Sequence, residues 1–247
     1  MNERTLYLAW QDKAHSRRWF PIGRLDADVE RPRYRFRYIG GAEQAKETSG
    51  FPLLIEFPEL KADYRSPELF PVFQNRVMNR RRPDFTDYLR SLDLSPKADP
   101  VEILSANGGS RVTDTYEVFP KLVKRSDGSF TCRFFLHGWR HVNPSAQVRI
   151  DQLADGEELY VTLELTNPVS TTAVQIQTTD YHMVGWAPRY LVADLVAAMA
   201  ETPEYSARVV RVNPQPAPSK QRVLIEMCGS WDKHEPMNGP EFRPLVT

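Results

Sequence analysis

VTLELTNPVSTTAVQIQTTDYHMVGWAPRYLVADLVAAMA, residues 161–200, holds two strand-like runs, a Gly-Trp turn and one amphipathic helix. Val161-Thr162-Leu163-Glu164-Leu165 alternates in the period of a half-buried strand. Asn167-Pro168 interrupts it, because proline cannot extend a ladder and turns the residue before it away from helix. AVQIQT, residues 173–178, resumes the period of two. Gly185 ends a short run at Met183-Val184, and Pro188 stands where a first helical turn accepts it. Leu191, Leu195 and Met199 then recur at helical spacing, with Val192 and Val196 beside them. Such a piece belongs to a small β-barrel or sheet with a capping helix.

The rest of the C-terminal half is also strand-rich. Residues 130–137 read as a strand beyond the Asp127-Gly128 turn, and residues 207–212 and 222–227 as two more. Asn143-Pro144 opens a helix that runs to about Asp151. In the N-terminal half TLYLAW (5–10), WFPIGRL (19–25), YRFRYI (34–39) and TDTYEVFP (113–120) predict strands. Tyr34, Phe36 and Tyr38 share one face of the third. Arg33, Arg35 and Arg37 share the other, either a solvated basic face or a strip for phosphate. A short helix is expected near residues 42–47. Ser66-Pro67-Glu68 reads as a capped helix start leading to Leu69, Phe70, Phe73 and Val77, with Pro71 restarting it. Further helices are expected from Pro83-Asp84 and from Asp99-Pro100, the last ending before Gly108-Gly109. The fold class is therefore α+β in two domains. A mixed sheet-and-helix module is expected over residues 1–120, and a six-stranded, OB-like β-barrel with capping helices over 121–247.

Composition narrows the function. Hydrophobic residues make 41% and charged residues 26% of the 247, ordinary for a globular chain. No apolar run reaches the roughly 18 residues of a membrane span. The start, MNERTLYLAW, lacks a secretory pattern, so a cytoplasmic location is expected. Two cysteines, Cys132 and Cys228, are too few for a disulfide framework. The formal net charge is zero. That disfavours a large DNA-coating surface, yet leaves room for a small pocket with a few local cations.

The chemistry-bearing clusters are few. Arg80, Arg81 and Arg82 form the densest cationic spot, either a phosphate contact or a solvated helix C-terminus. His137 and His141 are four apart, but on a strand-to-loop stretch that spacing does not converge on a metal, and no C-x-x-C accompanies it. No phosphate-cradling glycine loop and no nucleophile turn is present. Glu157-Glu158 would point apart on a strand. No enzyme, no cofactor and no metal is expected.

The pattern NP…AV.I…VG..PRYL..DL, with Gly138-Trp139-Arg140-His141 upstream, resembles the HIRAN domain over roughly residues 134–246. Such domains are fused to Snf2-type fork-remodelling helicases and also occur as short bacterial proteins. In the helicases the domain is OB-like and grips the 3′ end of single-stranded DNA. The resemblance implies a nucleic-acid site at Arg140, His141, Asn167, Trp186, Arg189 and Tyr190. Arg140 would offer a planar donor fork to phosphate, and His141 would stack or donate. Trp186 would present a stacking face, or else plug against the Leu191/Leu195 helix. The helicases follow Asn-Pro with an aromatic and an Asp, whereas this chain has Val169 and Ser170. That change puts selectivity for a free 3′ end in doubt.

The N-terminal half resembles the N-terminal subdomain of HipA-type kinases. The resemblance rests on Ile22-Gly23-Arg24-Leu25, on Phe51-Pro52-Leu53 with Tyr64, and on Leu69-Phe70-Pro71 with Asn75-Arg76. The ATP-binding and catalytic loops of a kinase are missing from the sequence. Two functions are therefore expected as alternatives. One is a non-enzymatic binder of single-stranded DNA, 3′ ends or forks, in DNA repair or phage defence, with Arg80–Arg82 as secondary phosphate contacts. The other is a protein-interaction subunit of a toxin–antitoxin-like or defence complex, contacting its partner through the N-terminal module. Neither needs a membrane or a small-molecule substrate.

Overall fold

The structure is a computed structural model that describes residues 3–111, 113–168, 170–202, 204–214 and 218–247. The chain forms two compact units. Met1–Leu89, Leu94–Lys121 and Met237–Thr247 make the first; Arg90–Asp93 and Leu122–Pro236 make the second.

The first unit is built on a five-stranded antiparallel sheet of β1 (Glu3–Gln11), β2 (Trp19–Asp28), β3 (Arg33–Tyr38), β4 (Tyr64–Ser66) and β5 (Tyr116–Pro120), in the order β4-β3-β2-β1-β5. Tyr34, Phe36 and Tyr38 face the core, where the Phe36 ring stacks on Phe57 at 4.0 Å. The apolar run 51–57 is a loop. Its buried residues Leu54 and Phe57 have backbone partners in Tyr38, whose hydroxyl donates to the Phe57 carbonyl at 2.9 Å and accepts from the Leu54 N–H at 2.8 Å. Four helices complete the elements in order: α1 (Gly40–Ser49), α2 (Pro71–Gln74), α3 (Phe85–Ser91) and α4 (Pro100–Asn107). Asp99 caps the last by accepting from the N–H groups of Val101 and Glu102, both at 2.9 Å.

Two expectations are corrected here. Ser66 opens no helix. It closes β4, and its hydroxyl accepts the Glu68 N–H at 3.0 Å in a local turn, so the helix shrinks to Pro71–Gln74. The arginine face of β3 is not simply solvated. Arg35 pairs with Asp63 at 2.7 Å, and buried Arg37 pairs with Asp26 at 2.9 Å and donates to the Val246 carbonyl at 3.2 Å.

The second unit carries a six-stranded antiparallel sheet of β6 (Ser129–Phe135), β7 (Glu158–Asn167), β8 (Thr171–Thr178), β9 (Met183–Trp186), β10 (Ser206–Val212) and β11 (Val223–Ser230). Its order is β6-β11-β10-β7-β8-β9. Two helices join it, α5 (Pro144–Asp151), capped by Asn143, and α6 (Arg189–Glu201). Val174, Ile176, Leu195, Val209 and Ile225 are fully buried between them. Trp231 stacks on Phe130 at 4.1 Å and donates its indole N–H to the Asp194 carbonyl of α6 at 2.8 Å. This ties the helix to the end of β11.

The expected closed barrel is replaced by a sheet whose edges meet at one point. Among the described residues there is no ladder between β6 and β9. His137 and Trp186 alone exchange backbone bonds, at 2.9 and 3.0 Å. The reason is local. The chain leaves β6 through Gly138 in a left-handed turn, and β9 ends at Trp186, two residues before Pro188, which has no N–H to extend the pairing. Gly185, beside the bridge, has φ 155°, and a Cβ there would stand 2.8 Å from the His137 carbonyl oxygen. Gly185→Ala is expected to destabilise the second unit by about 1–3 kcal/mol, through backbone strain and a forced edge. A thermal unfolding midpoint equal to wild type would contradict this role for the bridge.

Candidate functional site

Cross-strand pairing places the functional side chains. Thr162 faces Gln175, Gln175 faces Trp186, and Trp186 faces His137, so one row crosses the outward side of β7, β8 and β9 to the segment after β6. The Trp186 ring lies over Gly138, where a Cβ would come within 2.5 Å of it. Gly138 also has φ 68°. Only glycine meets both demands. The indole N–H donates to Glu164 Oε2 at 2.8 Å. The Asn167 amide donates to the same oxygen at 2.9 Å. The Asn167 carbonyl oxygen in turn accepts the Ser170 N–H at 3.0 Å and its hydroxyl at 3.1 Å.

Glu164 is thus the hub of this end of the sheet, and sequence reasoning missed it. The Asn167 amide, then the Trp186 indole, hold its carboxyl below the usual glutamate range. The signal was present: Glu164 shares a strand face with Thr162 and stands three residues before Asn167. What the sequence does not show is that a residue 22 positions away completes the bond.

Arg140 and His141 sit in the 3₁₀ turn Trp139–His141, which leads out directly from Gly138 under the indole. Both are exposed, and the Arg140 carbonyl accepts the Gln147 amide at 3.2 Å. Arg189 is the first residue of α6, with Tyr190 beside it, both half-buried. Burial depresses the Arg189 guanidinium below its ordinary pKa. Arg189, Ser170, Thr172, Val192, Ala193 and Val196 line an open groove of about 420 Å³. The turn between β7 and β8 therefore joins two features. Asn167 connects it to Trp186, and Ser170 faces the Arg189 groove. Val169 lies outside the described residues.

Arg80, Arg81 and Arg82 belong to the first unit. They follow α2 in turns, not at a helix end. Arg80 bonds the Ala98 carbonyl and lies over the Phe85 ring at 5.5 Å. Arg82 pairs with Asp84 at 2.8 Å, and Arg81 is exposed. Two of the three cations thus already have partners.

Among the described residues no group of three His, Cys, Asp or Glu side chains is arranged to hold a metal ion. His137 enters the sheet through its backbone. Burial pushes the Cys132 thiol up to about 12, far from the thiolate a nucleophile needs. No described helix is long and apolar enough to cross a membrane.

The family model of the HIRAN domain matches residues 129–231, from the start of β6 to the tryptophan after β11. This stretch is similar to the HIRAN domain. The Gly138-to-His141, Asn167-Pro168 and Val184-to-Arg189 segments all fall inside it. The HIRAN domain is a DNA-binding module, which supports nucleic-acid binding by this part of the chain. No curated protein matches the chain. Among solved structures, a protein from Lactobacillus plantarum is 15% identical, with 42% of this chain and 100% of that chain covered at a TM-score of 0.33. The HIRAN domain of human HLTF is 15% identical, with 44% and 84% covered at a TM-score of 0.32. The HIRAN match leaves residues 1–128 outside it.

Because the Glu164 pKa is lowered on folding, its contribution is complete above the unfolded value of 4.5 and fades as pH falls through the lower folded value. The Trp186 indole N–H resonance of the HIRAN domain is expected to hold steady down to that range and to move only below it. In Glu164→Gln the acid transition should vanish. A Trp186 signal that titrates alike in both proteins would remove Glu164 as its anchor.

Proposed function

We propose that this protein is a non-catalytic nucleic-acid binder that holds single-stranded DNA, at a strand end or fork, through its HIRAN domain. The observation that carries the reading is the fixed Trp186 indole, with Arg140 and His141 issuing from the turn beneath it. An indole held at its N–H by a carboxylate keeps its face in place, which lowers the ordering cost of stacking a base. Arg140 supplies the guanidinium fork for a phosphate beside that base. Arg189, Ser170 and the Asn167 turn provide a second polar wall at the groove.

The terminal hydroxyl is a separate matter. Ser170 donates its hydroxyl to Asn167 and brings no carboxylate to the groove. Single-strand or fork binding therefore has more support than strict 3′-end selection. The zero net charge fits a small footprint of about two or three phosphates, not a coated duplex. DNA repair and phage defence are the settings this reading suggests.

A second reading rests on the same charge balance and on Val169-Ser170. On it, the protein is an interaction subunit of a defence or toxin–antitoxin-like complex, docking through its first unit. Fluorescence anisotropy with labelled single-stranded DNA separates the two. Arg140→Ala is expected to weaken binding by roughly tenfold or more, the loss of a charge-assisted hydrogen bond. Affinity should fall with salt along a shallow slope. A folded protein that binds no strand would favour the second reading, whereas binding that survives equally well without Arg140 and Trp186 would move the nucleic-acid site elsewhere.

A further inference from the structure

The outward face of β7 and β8 continues beyond Trp186 with a pattern that the end site does not use. Alternation puts Tyr160, Thr162 and Glu164 on this face, opposite Gln177, Gln175 and Ala173. The Gln177 amide donates to the Thr162 hydroxyl at 3.1 Å, within a polar strip that begins at the Trp186 row. At its far end the Tyr160 ring meets Tyr181 at 5.8 Å, the two rings 46% and 76% exposed.

Tyr181 occupies its turn at φ 67°, a conformation that suits glycine or asparagine and is unfavourable for a bulky ring. Nothing in the core requires that ring, since it points to solvent. One row further along β7, Glu158 pairs across to Arg208 of β10. Arg208 shares the Glu226 carboxylate with Arg133, which also reaches Asp93, and the Arg208 side chain stays 56% exposed. The face therefore runs from a fixed indole, over amides and two open phenol rings, to Arg208, which stays exposed beside its Glu226 partner. Glu164 and Glu158 border it at either end. Exposed rings for base faces, amides for base edges and a cation for phosphate match one occupant, an extended single strand.

We propose that a strand whose end lies at Trp186 continues across this face, with bases on Tyr160 and Tyr181 and a phosphate toward Arg208. The proposal rests on the nucleic-acid reading of the HIRAN domain and extends it from an end contact to a path of several nucleotides. Two lengths of oligothymidine, about 4 and about 12 nucleotides, test it by anisotropy. The longer is expected to bind more tightly. Tyr160→Ala and Tyr181→Ala should each cost roughly tenfold on the longer strand and leave the shorter unchanged. Tyr160→Phe, which keeps the stacking face, should retain the wild-type affinity. Trp186→Ala should weaken both lengths. If Trp186→Ala weakens both while the tyrosine variants change neither, the end site stands and the path is wrong. Tyrosine variants that instead shift a dimer to monomer in sedimentation would assign the face to a second copy and overturn the proposal. A folded wild type that binds neither length would overturn this proposal and the proposed function together.

Discussion

Among the described residues a single antiparallel pair, His137 with Trp186, holds together the edges of the six-stranded sheet. Every other neighbour in that sheet is joined by a ladder. The pair can exist only because two glycines remove side chains from its path, Gly138 under the indole and Gly185 against the His137 carbonyl. It also sets the position of both flanking segments. On one side it starts the turn that carries Arg140 and His141. On the other it fixes the point from which Pro188 and α6 depart, and so where Arg189 stands. An edge-to-edge join of one residue is weak by itself, since isolated backbone bonds contribute only about a kcal/mol net. Its importance is geometric: it brings two distant strand ends into one place.

Glu164 gives that place its chemistry. A carboxylate on the outward face of a sheet would ordinarily be surrounded by water. Here it accepts from an amide on its own strand end and from an indole two strands away. Each bond favours the ionised form, and together they convert a mobile aromatic ring into a fixed surface. The same turn passes order on to Ser170, which faces the groove at α6. Rigidity at the indole and openness at Arg140 and His141 are complementary. A stacking surface gains from being pre-set, while a phosphate contact gains from a side chain free to reach it.

Charge balance in this chain is local as well as global. Arg37 with Asp26, Arg76 with Asp114, Arg82 with Asp84 and Arg133 with Glu226 are paired within their own units. These guanidiniums are spent on carboxylates. With 32 basic residues balanced by 32 acidic ones, such pairing leaves a contact with nucleic acid to depend on a few positions.

Alternation and turn chemistry made much of the architecture legible from the sequence. The strand-like runs at 161–165 and 173–178, the caps at Asp99 and Asn143 and the helix after Pro188 are local signals, and the backbone obeys them. Local signals failed where a distant partner competed. Ser66 is an apt cap residue, yet pairing of Tyr64, Arg65 and Ser66 with β3 holds it in a strand. The apolar run 51–57 is held as a loop by the Tyr38 hydroxyl, which bonds the Leu54 N–H and the Phe57 carbonyl, a contact no local signal announces. The sequence alone determined which residue types were on hand near Gly138, Asn167 and Gly185. Tertiary structure decided that the sheet would stay open but for one pair, and that Glu164 would join Trp186 to Asn167. Periodicity reports which face a side chain takes, whereas the meeting of two sheet edges depends on twist, register and strand length summed over the whole unit.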